Sequence, residues 1–306
     1  MNGRTWGTPL RGRAMLVVLV AIVPLLLAAP GSAQRTLNER RAASPSGSIR
    51  IHHDAGTLRV TGWAHDSIAV TGTVMERGPD RFYLAVSPQG SKMGIWASAS
   101  DSLPPSHLEV RVPHGSSVWI KTMSADATVS GVTGGVDVYS VAGSIDVSGA
   151  PRELHVETMA GAIDADVRTR SARVKSASGT ITLRGRIADA AAQNVSGTVT
   201  IAGGAIERGR FESVDGDIRY MGAVPVAAAL DFINHSGGVR LVVPADTRAD
   251  VLVSTYAGRL ENGFKTRALT ASNRYKGEEH TFALNGGGAQ VTVRTFKGAV
   301  ELRPKP

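Results

Sequence analysis

VYSVAGSIDV (138–147), VETMAGAIDA (156–165), VKSASGTITL (174–183) and AQNVSGTVTI (192–201) align without a gap, each with a glycine at its sixth position. The glycines are Gly143, Gly161, Gly179 and Gly197; Ala125 stands one unit earlier, and Gly216, Gly237 and Gly258 continue the series. Successive spacings are therefore 18, 18, 18, 18, 19, 21 and 21 residues. A short fixed period marks a solenoid, in which each unit buries its apolar face only by stacking on the next.

The columns around the glycine, taken as position n, define the unit. Position n+2 reads Ile145, Ile163, Ile181, Val199, Ile218, Val239 and Leu260, and n+4 is mostly aliphatic. On the other side, n−5 gives Val138, Val156, Val174, Ala192, Phe211, Phe232 and Val253, and n−7 is aliphatic in most copies. Positions between them are polar or mixed. Alternation of period two describes a strand with one buried and one wet face, so each unit holds two strands about a glycine bend. The predicted fold is all-β: a right-handed parallel β-helix-like solenoid of roughly 18–21-residue coils with irregular β caps.

Position n−3 is more selective. It holds Thr122, Ser140, Thr158, Ser176, Asn194, Ser213, Asn234 and Thr255, and Thr295 repeats it near the C-terminus. Side chains of this kind, in register, can bond from coil to coil or cap the backbone of the bend. Nine equivalent residues do not make a reacting centre, so the column reads as structural. The adjoining glycine is expected to take a φ > 0 conformation.

Residues 1–33 are expected to be a signal peptide. Arg4, Arg11 and Arg13 precede an apolar Met15–Pro30 stretch, and Gly31-Ser32-Ala33 offers small residues for cleavage before Gln34. An uncleaved anchor is the alternative, against which stand the stretch's shortness and Pro24. Residues 34–46 read as a flexible lead-in, 47–112 as an N-terminal β region and cap, 113–261 as regular solenoid coils, and 262–306 as a C-terminal cap with the last coil. Within the caps, RFYLAV (81–86) and MGIWAS (93–98) flank a Ser87-Pro88-Gln89-Gly90 hairpin turn. The segments 78–112 and 262–290 are expected to cover the open ends. There is no cysteine, which excludes disulfides, thiolate metal sites and a cysteine nucleophile. Loss of the leader would leave 31 basic and 26 acidic residues, a mild excess that does not single out nucleic acid.

GTLRVTGWAHDSIAVTG (56–72), the VRVPHG corner (110–115), the serial bend units and GGGAQVTVRTFKGAVEL (286–302) together resemble a bacterial family of β-strand-repeat proteins. Its members are domains of unknown function labelled putative adhesins. The resemblance runs from about residue 47 to 303, and Val243-Pro244-Ala245-Asp246 looks like a second VPxG corner with Asp in place of Gly115. It implies an exported parallel β-helix-like domain and brings no catalytic residues with it.

Other candidate chemistry is thin. His52-His53-Asp54 and His65-Asp66 offer metal-ligand types, but neighbours on a strand point to opposite faces. Calcium-roll turns are missing, and Asp146 and Asp164 form only a short acidic column. Thr180, Thr182, Thr198 and Thr200 make an outward patch explained by β-propensity. Asp215, Asp217, Arg219 and Arg240 are the nearest approach to a carbohydrate-active site, and salt-bridged columns account for them. The expectation is therefore an exported, non-enzymatic β-solenoid without cofactor or metal, serving adhesion or envelope interaction. An envelope regulatory or stress-related binding module and a β-helix enzyme are the alternatives. Surface polysaccharide or an envelope protein is the candidate partner, and no transmembrane span is expected in the mature chain.

Overall fold

Alternation becomes strand after strand in the computed structural model, which describes residues 1–3, 32–77, 81–96, 104–272 and 277–305. The expected signal peptide falls almost wholly outside these residues. In chain order the strands open with β1 (Ser32–Ala42), β2 (Ser48–His52), β3 (Gly56–Trp63), β4 (Ser67–Arg77), β5 (Arg81–Ser87) and β6 (Gly90–Trp96). Next come β7 (Ser106–Pro113), β8 (Ser117–Thr122), β9 (Asp126–Ser130), β10 (Gly135–Ser140), β11 (Ile145–Gly149) and β12 (Glu153–Thr158). The long β13 (Ile163–Ser176), β14 (Ile181–Asn194) and β15 (Val199–Ser213) follow, then β16 (Ile218–Ala223), β17 (Ala229–Asn234) and β18 (Val239–Pro244). Last are β19 (Ala249–Thr255), β20 (Leu260–Asn262), β21 (Leu269–Ser272), β22 (Glu278–Leu284), β23 (Ala289–Thr295) and β24 (Val300–Lys305). No helix occurs among the described residues.

Strands before each bend pair in parallel to form a front sheet, and strands after it form a back sheet. In the front sheet Val138 lies beside Ile120 and Val156; in the back sheet Ile145 lies beside Ala127 and Ile163. The register is one repeat per coil. β13, β14 and β15 each run without a break from the back sheet of one coil into the front sheet of the next. The inward columns are those read from the alternation: Ile181, Val174, Val199 and Ile218 are all fully buried between the sheets.

The coil first lengthens where its core thickens. Where the spacing grows from 18 to 19 and 21, the n−5 column changes from Ala192 to Phe211 and Phe232. These rings and Tyr220 pack together at 5.2–6.5 Å between centroids. Gly209, on the strand beside Phe211, gives that ring space, since a Cβ there would come within 2.6 Å of it. A thicker core needs a longer contour around it.

At both ends the coils leave sequence order. The first coil, β2–β3, lies between the strands of β6–β7 and those of β8–β9. The last, β23–β24, lies between β17–β18 and β19–β20, so Phe232 pairs with Val293 and Val239 with Val300. Each terminal coil is thus enclosed by chain that is internal in sequence. Antiparallel strands finish the stack: β5 on β6, β4 on β7, β22 on β19 and β21 on β22.

Residues 34–42, expected as a flexible lead-in, are a strand. β1 pairs antiparallel with β4 along its whole length, buries Leu37, and sets Arg40 5.1 Å from the Trp63 ring. β4 would otherwise present a bare edge, and a polar, charged strand is a suitable cover for one. The chain divides into two units, Met1–Gly31 and Ser32–Pro306, and every described strand belongs to the second. No helix among the described residues is long and apolar enough to cross a membrane.

Candidate functional site: the outer face of the front sheet

The bend itself is built from the n−3 side chain and the glycine. Ser176 Oγ accepts the amide of Gly179 at 2.8 Å, Thr158 Oγ1 that of Gly161 at 3.0 Å, and Ser213 Oγ that of Gly216 at 3.0 Å. Asn234 spans two coils: its Oδ1 accepts from Gly237 at 2.9 Å, while its Nδ2 donates to Gly216 O at 2.8 Å. Thr122 donates to Ser140 Oγ at 2.9 Å, a direct bond from coil to coil. The column therefore works chiefly by capping the bend, a local role open to short polar side chains. A positive φ occurs at Gly143 and Gly197, as expected for the bend, but not at Gly161, Gly179 or Gly216. What requires glycine at those three is proximity: a Cβ on each would run into the carbonyl oxygen of the bend glycine one coil below.

Beside this capped bend the chain exposes an apolar column that the sequence reading passed over as mixed. Position n−2 carries Met123, Val141, Met159, Val195 and Val214, all well exposed, with the small, half-buried Ala177 between Met159 and Val195. It ends in His235, Phe296 and Tyr256, whose rings stack at 4.8 and 4.7 Å with interplanar angles of 4° and 7°. The ring separation matches the spacing of neighbouring strands, so the intercalated last coil places Phe296 between the other two. Apolar residues recurring at n−2 in most copies were the signal available in the sequence.

A groove of about 1190 Å³ runs between this ridge and the front sheet's outward n−4 side chains, from Tyr139 to Tyr256 and Phe296. The n−3 row forms its floor. Its charges are paired on the sheet: Lys175 lies 3.3 Å from Glu157, Arg294 lies 2.8 Å from Asp231, and Arg210 contacts Glu212. Burial opposes ionisation of Glu157, but hydrogen bonds from His155 and Lys175 prevail and hold its carboxyl below the usual range.

The residues singled out for chemistry are not brought together. His52 points outward, 5.2 Å from the Trp119 ring, whereas His53 is buried with Nε2 3.1 Å from Ser106 O. Burial lowers the pKa of both imidazoles. His65 packs edge-on against Trp63 at 4.7 Å. Among the described residues no cluster of three or more His, Asp or Glu side chains is arranged to hold a metal ion. Asp146 has its pKa raised by burial and by the neighbouring Asp164 and Asp126, while Asp164 itself is engaged by Arg184. Arg219 and Arg240 are cross-strand neighbours on the back sheet, but each has its own acid: Asp217 at 3.2 Å and Glu301 at 2.8 Å. Asp215 is exposed in a bend.

No curated protein matches the chain in sequence. Among solved structures, a putative adhesin from Bacteroides fragilis is 12% identical, covering 89% of this chain and 98% of its own, with a TM-score of 0.44. A putative adhesin from Parabacteroides distasonis is likewise 12% identical, over 88% and 97%, with a TM-score of 0.44. A putative cell adhesion protein from Clostridium sporogenes is 7% identical, over 89% and 100%, with a TM-score of 0.24. The family model described as Toastrack DUF4097 matches residues 100–303, which takes in every coil from β7 to β24, and the chain belongs to that family.

Proposed function

We propose that the protein is an exported, non-enzymatic binding module of the adhesin kind, docking an extended surface polymer along the outer face of its front sheet. The observation that carries this is the exposed apolar ridge from Met123 to Tyr256 beside a groove whose charges are already paired. Monomeric proteins seldom leave such a stripe bare without a partner for it. Rows of equivalent residues suit a repetitive ligand better than a single reacting group. Export rests on the N-terminal basic, apolar and small-residue sequence and agrees with a chain free of cysteine. The coils are taken to wind right-handed, as connections between parallel strands do almost universally.

The test is a glycan-array screen of the full chain, followed by binding to isolated cell envelopes. A Met159→Asp/Val195→Asp variant should lose about tenfold or more in affinity, since each change sets a charge on the apolar ridge. Binding should survive chelation and alanine substitution of Asp215 or Asp217. Unchanged binding by the ridge variant sinks the docking surface. Polysaccharide turnover that vanishes with Asp215→Ala or Asp217→Ala would instead make the protein an enzyme.

A further inference from the structure

The N-terminal part of the same outer face differs from the groove in charge and in ring content. Strand register sets its side chains on a grid. Arg50 lies across from Lys92 on one side and Trp119 on the other, His52 across from Gly94 and Lys121, and Gly94 across from Tyr83. Trp119 continues to Tyr139 at 5.8 Å, and Tyr139 to His155 at 5.5 Å, all half-buried and tilted. Gly94 leaves a gap in the row, where a Cβ would approach His52 O at 2.8 Å and Tyr83 Oη at 3.3 Å. The result is a concavity of about 770 Å³ lined by Arg50, His52, Tyr83, Lys92, Trp119 and Asp137.

Its cations are not paired from within. Arg50 and Lys92 are exposed cross-strand partners of the same sign, an arrangement that costs stability. Lys121 adds a third cation on the next strand. Among the described residues none of the three has an acid within ion-pair distance, whereas farther along the face Lys175, Arg210 and Arg294 all do. A carboxylate or similar anion arriving at this point would relieve the repulsion through charge-assisted hydrogen bonds.

Building on the docking reading of this face, we propose that the Arg50–Lys92–Trp119–Tyr83 concavity is a subsite for an acidic glycan. The aromatic rings would take the apolar faces of the sugar rings, and Arg50, Lys92 and Lys121 would take its carboxylates. Asp137 decides between an acidic sugar and other polyanions. Its carboxylate lines the concavity and only accepts hydrogen bonds when ionised, so it favours a ligand with donors. Sugar hydroxyls supply them; a DNA or polyphosphate backbone does not.

Affinity electrophoresis of the full chain tests this, with polygalacturonate, neutral galactan or oligo(dT) in the gel. Retardation by polygalacturonate should exceed that by either other polymer about tenfold at low salt and weaken as salt rises. Trp119→Ala and Lys92→Glu should each abolish at least about nine-tenths of it. Lys92→Glu also creates an ion pair with Arg50, so its thermal midpoint should be equal to or above that of the parent while binding is lost. Equal retardation by galactan or oligo(dT), or full binding by Lys92→Glu, overturns the acidic-glycan subsite. Envelope binding that depends on Met159 and Val195 but is indifferent to Lys92 and Trp119 overturns it too, and leaves the docking groove intact.

Discussion

The middle of the solenoid and its two ends obey different rules. From β8 to β18 each coil lies on the one before it in sequence, and the bend glycines stack so tightly that a Cβ would strike the coil below. At the ends the terminal coils are threaded inward, and antiparallel strands close the stack outside them. A simple solenoid can lose its last coil and forfeit one interface. Here the first and last coils have a neighbour on both sides, so the ends are tied into the array. The lesson is that a repeat protein can protect its termini by topology as well as by capping residues.

The largest expected effect comes from deleting residues 286–306. This removes β23–β24 from between β17–β18 and β19–β20 and takes away the buried Val291, Val293, Val300 and Leu302. At about 1.5–3 kcal/mol per buried large apolar side chain, the loss is roughly 6–12 kcal/mol, comparable with the whole stability of a typical domain. Urea unfolding should show no cooperative native baseline. A truncated chain that merely melts a few degrees lower would show that the end behaves like an ordinary outer coil.

In the middle, Ile181→Asp places a carboxylate in a fully buried row and should cost about 4 kcal/mol or more. A folded variant of unchanged thermal stability would sink the buried-column assignment. Gly179→Ala should cost roughly 3 kcal/mol, because the obstacle is backbone that the whole stack holds in place. Gly203→Ala makes the contrast: φ is +74°, but nothing lies within 4 Å of the added carbon, so only about 1 kcal/mol of backbone strain is expected. Equal costs at the two sites would refute the account of the stacked bend.

The smallest effect distinguishes the N-terminal end by pH. Burial lowers the pKa of His53 from 6.5, so on acidification the unfolded chain takes up its proton first. Stability is then full above pH 6.5 and declines as pH falls towards the lowered value. As pH falls below 6.5, amide protection corrected for intrinsic exchange should drop in β2 and β7 ahead of that in β13 and β14, and His53→Gln should blunt the difference. Equal loss of protection in both regions would mean that His53 does not set the acid response of that end.

The coil was legible because burial columns at n−7, n−5, n+2 and n+4 impose a simple alternation on every copy. Valine after valine at n−5 could mean little else. β1 escaped notice because an antiparallel cover strand needs little apolar content: among its described side chains only Leu37 is buried, and most of the strand is charged or polar. The apolar ridge at n−2 was in plain sight as Met123, Val141, Met159, Val195 and Val214. It falls among the positions described as polar or mixed, since a side chain's exposure and its alignment with copies above and below emerge only from the register. The cationic concavity was harder still. Arg50, Lys92 and Trp119 are far apart in sequence and meet through the placement of β2 between β6 and β8.

What the sequence by itself determined is the local unit: two strands, a capped glycine bend, two inward aliphatic columns on each strand, and a contour that lengthens where phenylalanine replaces alanine. These depend on interactions within a coil or with its immediate copy, and each copy carries them in full. What only the tertiary structure decided is the order of the coils at the two ends. The edge of any coil is close to equivalent to that of any other, so backbone pairing alone does not choose among them. The choice rests on side chains that meet across the stack, such as Phe296 between His235 and Tyr256. Both proposed surfaces depend on that choice, because intercalation completes the aromatic end of the ridge and assembles the cationic concavity at the other end.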